Sequence, residues 1–265
     1  MRVVILQYDV YYGDVEKNLS KIKSLFEEAD LAEDDIVVLP EMWTSGYDLE
    51  NIEKHAAKEL EPVKSEVAEL AKKYSVNIIA GSIPNIVEKD NVYNTAFYIN
   101  KSGELVYDYS KMHLVPMLNE PAFLTGGKNS VETFDLQGEK AGMVICYDLR
   151  FPELFRDLAL QDAKVIFVVA EWPLARKEHW LTLLRARAIE NQCYIVGSNN
   201  VGTQDNGTTF AGNSVIYNPF GEALAQGSTE SEEILKAEID LDYIKEVRRD
   251  IPIFDSRRKD MYKFL

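Results

Sequence analysis

Apolar residues come in two rhythms along the chain, and each predicts its own element. Residues 3–8 (VVILQY) form a β-branched run that reads as a buried strand. Asp14 then stands where a helix needs a cap. Val15, Leu19, Ile22, Phe26 and Ala29 recur at helical spacing with Lys and Glu between them, which predicts a helix to about Ala29. Residues 36–39 are a second apolar run, ended by Pro40. Pro62 suits a first helical turn, and Val63, Val67, Leu70 and Tyr74 mark one face of the helix after it. Residues 76–80 predict a strand closed by Gly81. Residues 93–99 and 104–109 flank Asn100-Lys101-Ser102-Gly103, a hairpin signal. Residues 142–146 predict a strand, with Pro152 opening a helix to about Leu160. Residues 165–170 predict another strand, and Trp180, Leu184 and Ala188 give the inner face of a helix ending near Gln192. Residues 194–199, 209–217 and 234–239 read as strands, with Asn218-Pro219-Phe220-Gly221 as a turn.

Strand–helix alternation with hairpins mixed in predicts an α/β domain with mixed sheets. No linker, repeat or low-complexity segment divides the 265 residues, so residues 1–265 are expected to form a single domain. Residues 248–265 lack clear periodicity. They are expected to be a C-terminal arm that packs on a partner subunit or extends over the surface.

Composition narrows the function classes. The chain is 46% apolar and 28% charged, as soluble globular proteins are. A net charge of −15 argues against nucleic-acid binding, which needs Lys and Arg against phosphates. No apolar stretch is long enough to span a bilayer, and MRVVILQYDV reads as a first strand rather than a signal peptide. A cytoplasmic protein without membrane or nucleic-acid partners is expected. Two cysteines, Cys146 and Cys193, make neither a disulfide framework nor a paired metal motif.

Three segments carry candidate chemistry. In GMVICYDLRFPE a strand ends at Cys146 and a helix starts about six residues later, the sheet edge where α/β proteins place ligands. Cys146 reads either as a nucleophile or as a packed core cysteine. A thiol with a usual pKa of about 8.5 needs a base or a cation beside it. His55, in an acidic and solvated segment, is a poor base. His113 and His179 keep a Cys–His reading open. In VVLPEMWTSGY, Glu41 follows a strand among apolar neighbours, which suits a desolvated base, or a helix cap or Arg partner. In YSKMHL, Lys111 follows a strand and suits oxyanion stabilisation, or a surface lysine.

Taken together, LPEMWTSGY, YSKMHL and GMVICYDLRFPELFR resemble the nitrilase superfamily of carbon–nitrogen hydrolases. The likeness continues through AEWPLARKEHWLTLLRARAIENQCYIVGSNNVG and AGNSVIYNPFGE, nearly the whole chain. It implies a four-layer αββα sandwich with two mixed β-sheets. It implies Glu41 as general base, Lys111 as stabiliser of the tetrahedral intermediate and Cys146 as nucleophile, with no metal or organic cofactor. Glu120, in PMLNEP, is the candidate for the family's second glutamate, and a surface-loop glutamate is the alternative. The backbone N–H of Tyr147 would share the oxyanion with Lys111. Just past the 165–170 strand, Glu171 and Trp172 lie at the same sheet edge and are expected to line the pocket, with a core aromatic as the alternative for Trp172; Trp43 and Tyr47 are weaker pocket candidates for the same reason. Asp148 and Arg150 are expected to be structural, and Cys193 to be core. The resemblance also implies a homodimer through residues 152–160 and 176–192 and the C-terminal arm.

Within the superfamily, CYDLRFPELFR with EWP, HW and LLRARAIENQ most resembles the ω-amidase-like branch. That implies hydrolysis of short dicarboxylate monoamides such as 2-oxoglutaramate and 2-oxosuccinamate, with Arg176 near the pocket loop as one candidate for the distal carboxylate. N-carbamoyl and aliphatic amidases are the alternatives inside the superfamily, and nitrile hydrolysis is less favoured. A catalytically inactive interaction protein on the same scaffold is the alternative from another class.

Overall fold

The computed structural model describes residues 1–88 and 91–263. The first half alternates β1 (Arg2–Gln7), α1 (Val15–Glu28), β2 (Ile36–Val38), α2 (Ile52–His55), β3 (Ala57–Lys58), α3 (Val63–Tyr74), β4 (Asn77–Glu88), β5 (Asn91–Ile99) and β6 (Leu105–Ser110). The second half holds β7 (Phe134–Leu136), β8 (Glu139–Ile145), α4 (Pro152–Leu160), β9 (Val165–Ala170), α5 (Lys177–Asn191), β10 (Tyr194–Asn199), β11 (Val215–Tyr217), β12 (Ala223–Gln226), β13 (Glu233–Glu238) and α6 (Asp242–Asp250). Asp14 caps α1 by accepting the Lys17 N–H, as its place in the pattern predicts.

One sheet runs β13-β1-β2-β4-β5-β6, with β3 also on β4; the other runs β12-β11-β10-β9-β8-β7. Both are mixed. β1, β2 and β4 are parallel, as are β8, β9 and β10, while hairpin partners and edge strands are antiparallel. Strand alternation sorts the layers. Val3, Ile5, Ile36, Val38, Ile79, Ala96 and Tyr98 share one core with the second sheet, α4 and α5. Val4, Leu6, Val37, Leu39, Ile78, Phe97 and Ile99 face the other way, onto α1 and α3. The chain is therefore a four-layer αββα sandwich.

Three expectations are corrected. Gly81 does not close the fourth strand: β4 continues to Glu88 through a bulge between Ile79 and Ser82. At φ +58° a Cβ on Gly81 would lie 1.9 Å from the Pro40 carbonyl oxygen, so only glycine lets that loop approach. The strand expected over 209–217 is not continuous: Thr209 and Phe210 make only isolated bridges, to Thr203 and Pro173, Gly212 (φ +54°) and Asn213 (φ +50°) break the extended run, and the strand is 215–217. The arm does not begin as irregular chain, since Arg248 lies in the last turn of α6. Beyond that helix the chain folds back on its own body: Gln192 donates to the Ile251 carbonyl at 2.7 Å, and the Arg156 and Arg248 guanidiniums lie over the Phe254 ring.

Candidate active site

Strand direction brings the candidate residues to one edge. β2 ends just before Glu41, β6 before Lys111, β8 before Cys146 and β9 before Glu171. β6 runs in the same sense as β4, because two antiparallel pairings separate them. The two sheets meet here, where the Glu41 N–H reaches the Ala170 carbonyl at 3.5 Å.

The Glu41 loop is stitched to the β4 bulge. Met42 N–H donates to Ser82 Oγ at 3.0 Å, Ser82 N–H to the Pro40 carbonyl at 3.1 Å, and the Trp43 indole N–H to the Ala80 carbonyl at 2.6 Å. Trp43 is fully buried in the outer core beside α1 and α3. It therefore anchors the loop from behind and is not a pocket wall, a correction to the sequence expectation. Lys111 is held through its backbone, with N–H to the Asn94 carbonyl and carbonyl to the Gly127 N–H, each 2.8 Å. Cys146 starts a 3₁₀ turn over Cys146–Arg150 and has φ +44°, a conformation that costs a non-glycine residue about 1–3 kcal/mol. The Arg187 guanidinium braces this turn by donating to the Leu149 carbonyl at 2.8 Å.

Glu41, Lys111 and Glu120 are all completely buried. The Lys111 ammonium lies 2.9 Å from Glu41 Oε1, 2.8 Å from Glu120 Oε1 and 3.1 Å from the Tyr47 hydroxyl. Its three N–H bonds thus all have partners. Burial pulls the ammonium's pKa down, but the charges of Glu41 and Glu120 outweigh it and hold it above the usual lysine range. Glu41 Oε1 also accepts from Asn94 Nδ2 at 2.8 Å and from the Tyr47 hydroxyl at 2.9 Å, and its Oε2 accepts the Glu171 N–H at 2.8 Å. Glu120 Oε1 accepts from Tyr47 at 2.5 Å and its Oε2 from the Val115 N–H at 2.7 Å. Tyr47 therefore sits within the charged cluster, its one proton between two carboxylates; burial, then Glu120 and Glu41, hold the phenol well above its usual pKa. The Cys146 thiol is 5% exposed. Burial first and the Glu41 charge second push its pKa well up, against a lowering by Lys111. That shift favours the thiol form, with a carboxylate and an ammonium as its charged neighbours.

The remaining candidates lie around this centre. Glu171 turns its carboxyl away to Asn200 Nδ2 at 2.8 Å and Gln204 Nε2 at 3.2 Å. Burial and the neighbouring Glu41 hold it well above the usual carboxyl range, which favours its neutral form. What it offers the site is its backbone N–H. Trp172 packs on Trp180, donates its indole N–H to the Arg176 carbonyl at 2.8 Å, and carries the Arg150 guanidinium 4.6 Å above its ring. Tyr147 is half-buried, with the same guanidinium 5.7 Å from its ring. Asp148 pairs with Tyr109 and His113, not with Arg150. His55 is not solvated, since its side chain is 15% exposed and bonded to Asp48 at 2.9 Å. Neither His113 nor His179 hydrogen-bonds Cys146 among the described residues: His113 Nδ1 is on Asp148 and His179 Nδ1 on Arg150. Cys193 is buried in the core. No group of three or more His, Cys, Asp and Glu set to hold a metal occurs among the described residues, and no helix among them is long and apolar enough to cross a membrane. Asn94, Asn200 and Gln204 escaped the sequence reading. The one available signal was Asn94, a polar residue inside the apolar run of β5.

A carbon–nitrogen hydrolase family model matches residues 2–249. The chain belongs to the carbon–nitrogen hydrolase family. A Staphylococcus aureus protein named as the hydrolase in the agr operon is 46% identical over 264 residues, covering 99% of this chain and 100% of that one. A 2-oxoglutaramate amidase of Bacillus subtilis is 42% identical over 257 residues, 97% of each chain. Among solved structures, a carbon–nitrogen hydrolase superfamily protein of Xanthomonas campestris superposes with a TM-score of 0.90 at 29% identity, over 98% of this chain and 97% of that one. As a member of that family it is a hydrolase of carbon–nitrogen bonds other than peptide bonds.

Proposed function

We propose that the chain is an ω-amidase, hydrolysing the terminal amide of a short dicarboxylate monoamide of the 2-oxoglutaramate or 2-oxosuccinamate type through a Cys146 thioester. One observation carries the mechanism: a buried thiol faces a buried carboxylate and a buried ammonium drawn from different strands. Glu41 takes the thiol proton as sulfur bonds to the amide carbon, and the carbonyl electron pair moves onto oxygen. Lys111 exchanges its longest contact, to Tyr47, for this oxyanion and shares it with the Tyr147 N–H. Glu120 holds Lys111 in place. Glu41 then hands its proton to the departing nitrogen, and the C–N bond breaks to leave ammonia and the thioester. Water attacks next, with Glu41 taking its proton, and the thiol returns as the acid leaves.

Two observations support an anionic far end on the substrate. The 42%-identical relative is named for 2-oxoglutaramate. Arg150, expected to be structural, lies over Trp172 and Tyr147 with no carboxylate in ion-pair range among the described residues. That leaves it free to meet a carboxylate. Pairing of two chains through α4, α5 and the arm belongs to the same proposal, supported by exposed Leu160, Ile189, Phe220 and Ile251 on that side. Ammonia release from 2-oxoglutaramate, an N-carbamoyl amino acid and a plain aliphatic amide tests the substrate class, with Cys146→Ala as control. The monoamide should be turned over fastest and the alanine variant should be silent. Turnover by Cys146→Ala, or a clear preference for the uncharged amide, overturns the reading.

A further inference from the structure

Asp148 takes no part in the chemistry above, yet its buried carboxylate is engaged on every side. Oδ1 accepts the His113 N–H at 3.0 Å and lies 2.8 Å from His113 Nδ1; Oδ2 accepts the Tyr109 hydroxyl at 2.9 Å and the Ile145 N–H at 3.2 Å. The side chain is 0% exposed, and no Lys or Arg pairs with it among the described residues. A buried carboxylate is tolerated only when donors replace its water, and here four do. The donors are not scattered. Tyr109 and His113 lie on either side of Lys111, and Ile145 and Asp148 lie on either side of Cys146. The His113 ring is also stacked on Phe151, just past the cysteine turn, at 3.6 Å between centroids and 9°.

Lys111 follows β6 of one sheet and Cys146 follows β8 of the other. Neither ladder of backbone hydrogen bonds sets the distance between them, so a cross-link must. We propose that Asp148 is a positioning residue that locks the lysine-bearing loop onto the cysteine-bearing turn, with His113 serving as its hydrogen-bond donor and not as a base. This rests on the roles proposed for Lys111 and Cys146. A slip of 1 Å between reacting groups costs roughly a hundredfold in rate, so the clamp acts on kcat and leaves substrate affinity largely alone.

The test combines three variants with two readouts. Asp148→Asn sets an NH2 against donors on one side or the other and must release a pair of them. His113→Ala removes the donor, whereas His113→Asn keeps an N–H near the position of Nδ1. Asp148→Asn should lower kcat by about 10–100-fold with KM within about threefold, and His113→Ala by about tenfold. His113→Asn should return to within about twofold of the parent enzyme. Iodoacetamide alkylation of Cys146 needs no substrate and should follow the same order, because a displaced Lys111 no longer favours the thiolate. The His113 pair decides the matter even where Asp148→Asn does not fold. Folded Asp148→Asn with parental kcat and alkylation rate overturns the proposal. So does a His113→Asn variant as impaired as His113→Ala, which would make the imidazole itself the active group. If the parent enzyme releases ammonia from no amide, the proposed function fails, and the alkylation series still judges the clamp.

Discussion

Replacing Glu41 by Gln should move two properties of Cys146 in opposite directions. The glutamine brings one acceptor oxygen and one NH2 into a site where both carboxylate oxygens face donors. Oε1 receives Lys111, Asn94 and Tyr47, and Oε2 receives the Glu171 N–H. The amide oxygen therefore takes the Oε1 position, and its NH2 opposes the Glu171 N–H. One donor-against-donor contact costs about 1–3 kcal/mol, which a domain of about 5–15 kcal/mol stability survives. Loss of the base should lower turnover by about 10²–10⁴-fold. The thiol responds the other way. After burial, the Glu41 charge is the largest influence raising the Cys146 pKa, and Lys111 opposes it. With that charge removed, the lowering by Lys111 is opposed only by burial and the weaker influence of Glu120, and more thiolate forms at a given pH. Iodoacetamide alkylation of Cys146, followed by mass spectrometry between pH 6 and 9, should therefore run faster in Glu41→Gln than in the parent, while ammonia release nearly stops. Slower alkylation together with slower turnover would refute this, because it would mean that Glu41 holds the resting sulfur as thiolate.

Two further substitutions test the surroundings. Burial and Glu41 hold the Glu171 carboxyl well above its unfolded pKa, so the folded state keeps a proton that the unfolded chain releases above about pH 4.3. The parent should therefore lose stability as pH rises from there toward the folded pKa, and the melting temperature of Glu171→Gln relative to the parent should climb between pH 5 and pH 8; a pH-independent difference would show Glu171 to be ionised. Gly81→Ala should cost about 2–6 kcal/mol from a Cβ set against the Pro40 carbonyl and a left-handed backbone, and should cut turnover by shifting Glu41; an unchanged melting temperature and rate would mean that the loop yields freely.

The sequence made the chemistry-bearing residues legible because each follows an apolar run at its end. Glu41, Lys111 and Cys146 stand just past β2, β6 and β8, and a residue at a strand end needs only local pattern to be placed. The hairpin of β5 and β6 and the helix after Pro152 were readable for the same reason. Where the reading missed, the cause was equally local. Gly81 looks like a stop, but a left-handed glycine inside a strand makes a bulge. Apolar residues suggested a strand over 209–217, yet Gly212 and Asn213 turn the chain before β11. α6 buries only Ile244 and Val247, too sparse a pattern to stand out. The sequence singled out Tyr47, Asp148 and His113 but not what they do, since they and Asn94 find their partners across strands and sheets.

Charge explains why those supporting groups are needed. Glu41 and Glu120 bring two negative charges to a dry site and Lys111 brings one positive, so the cluster carries a net charge of −1 that its surroundings must absorb. Tyr47, Asn94 and the N–H groups of Glu171 and Val115 do so by donating to it. A third ionised acid would overload the same space, and burial together with Glu41 pushes the Glu171 carboxyl toward its neutral form. The thiol is the remaining acid in the cluster; burial first and the Glu41 charge second push its pKa up, so in the proposed mechanism it keeps its proton until a substrate draws electrons toward Lys111. On that proposal a buried base beside a buried thiol is a stable resting state, and the proton moves as the carbonyl oxygen takes up the charge.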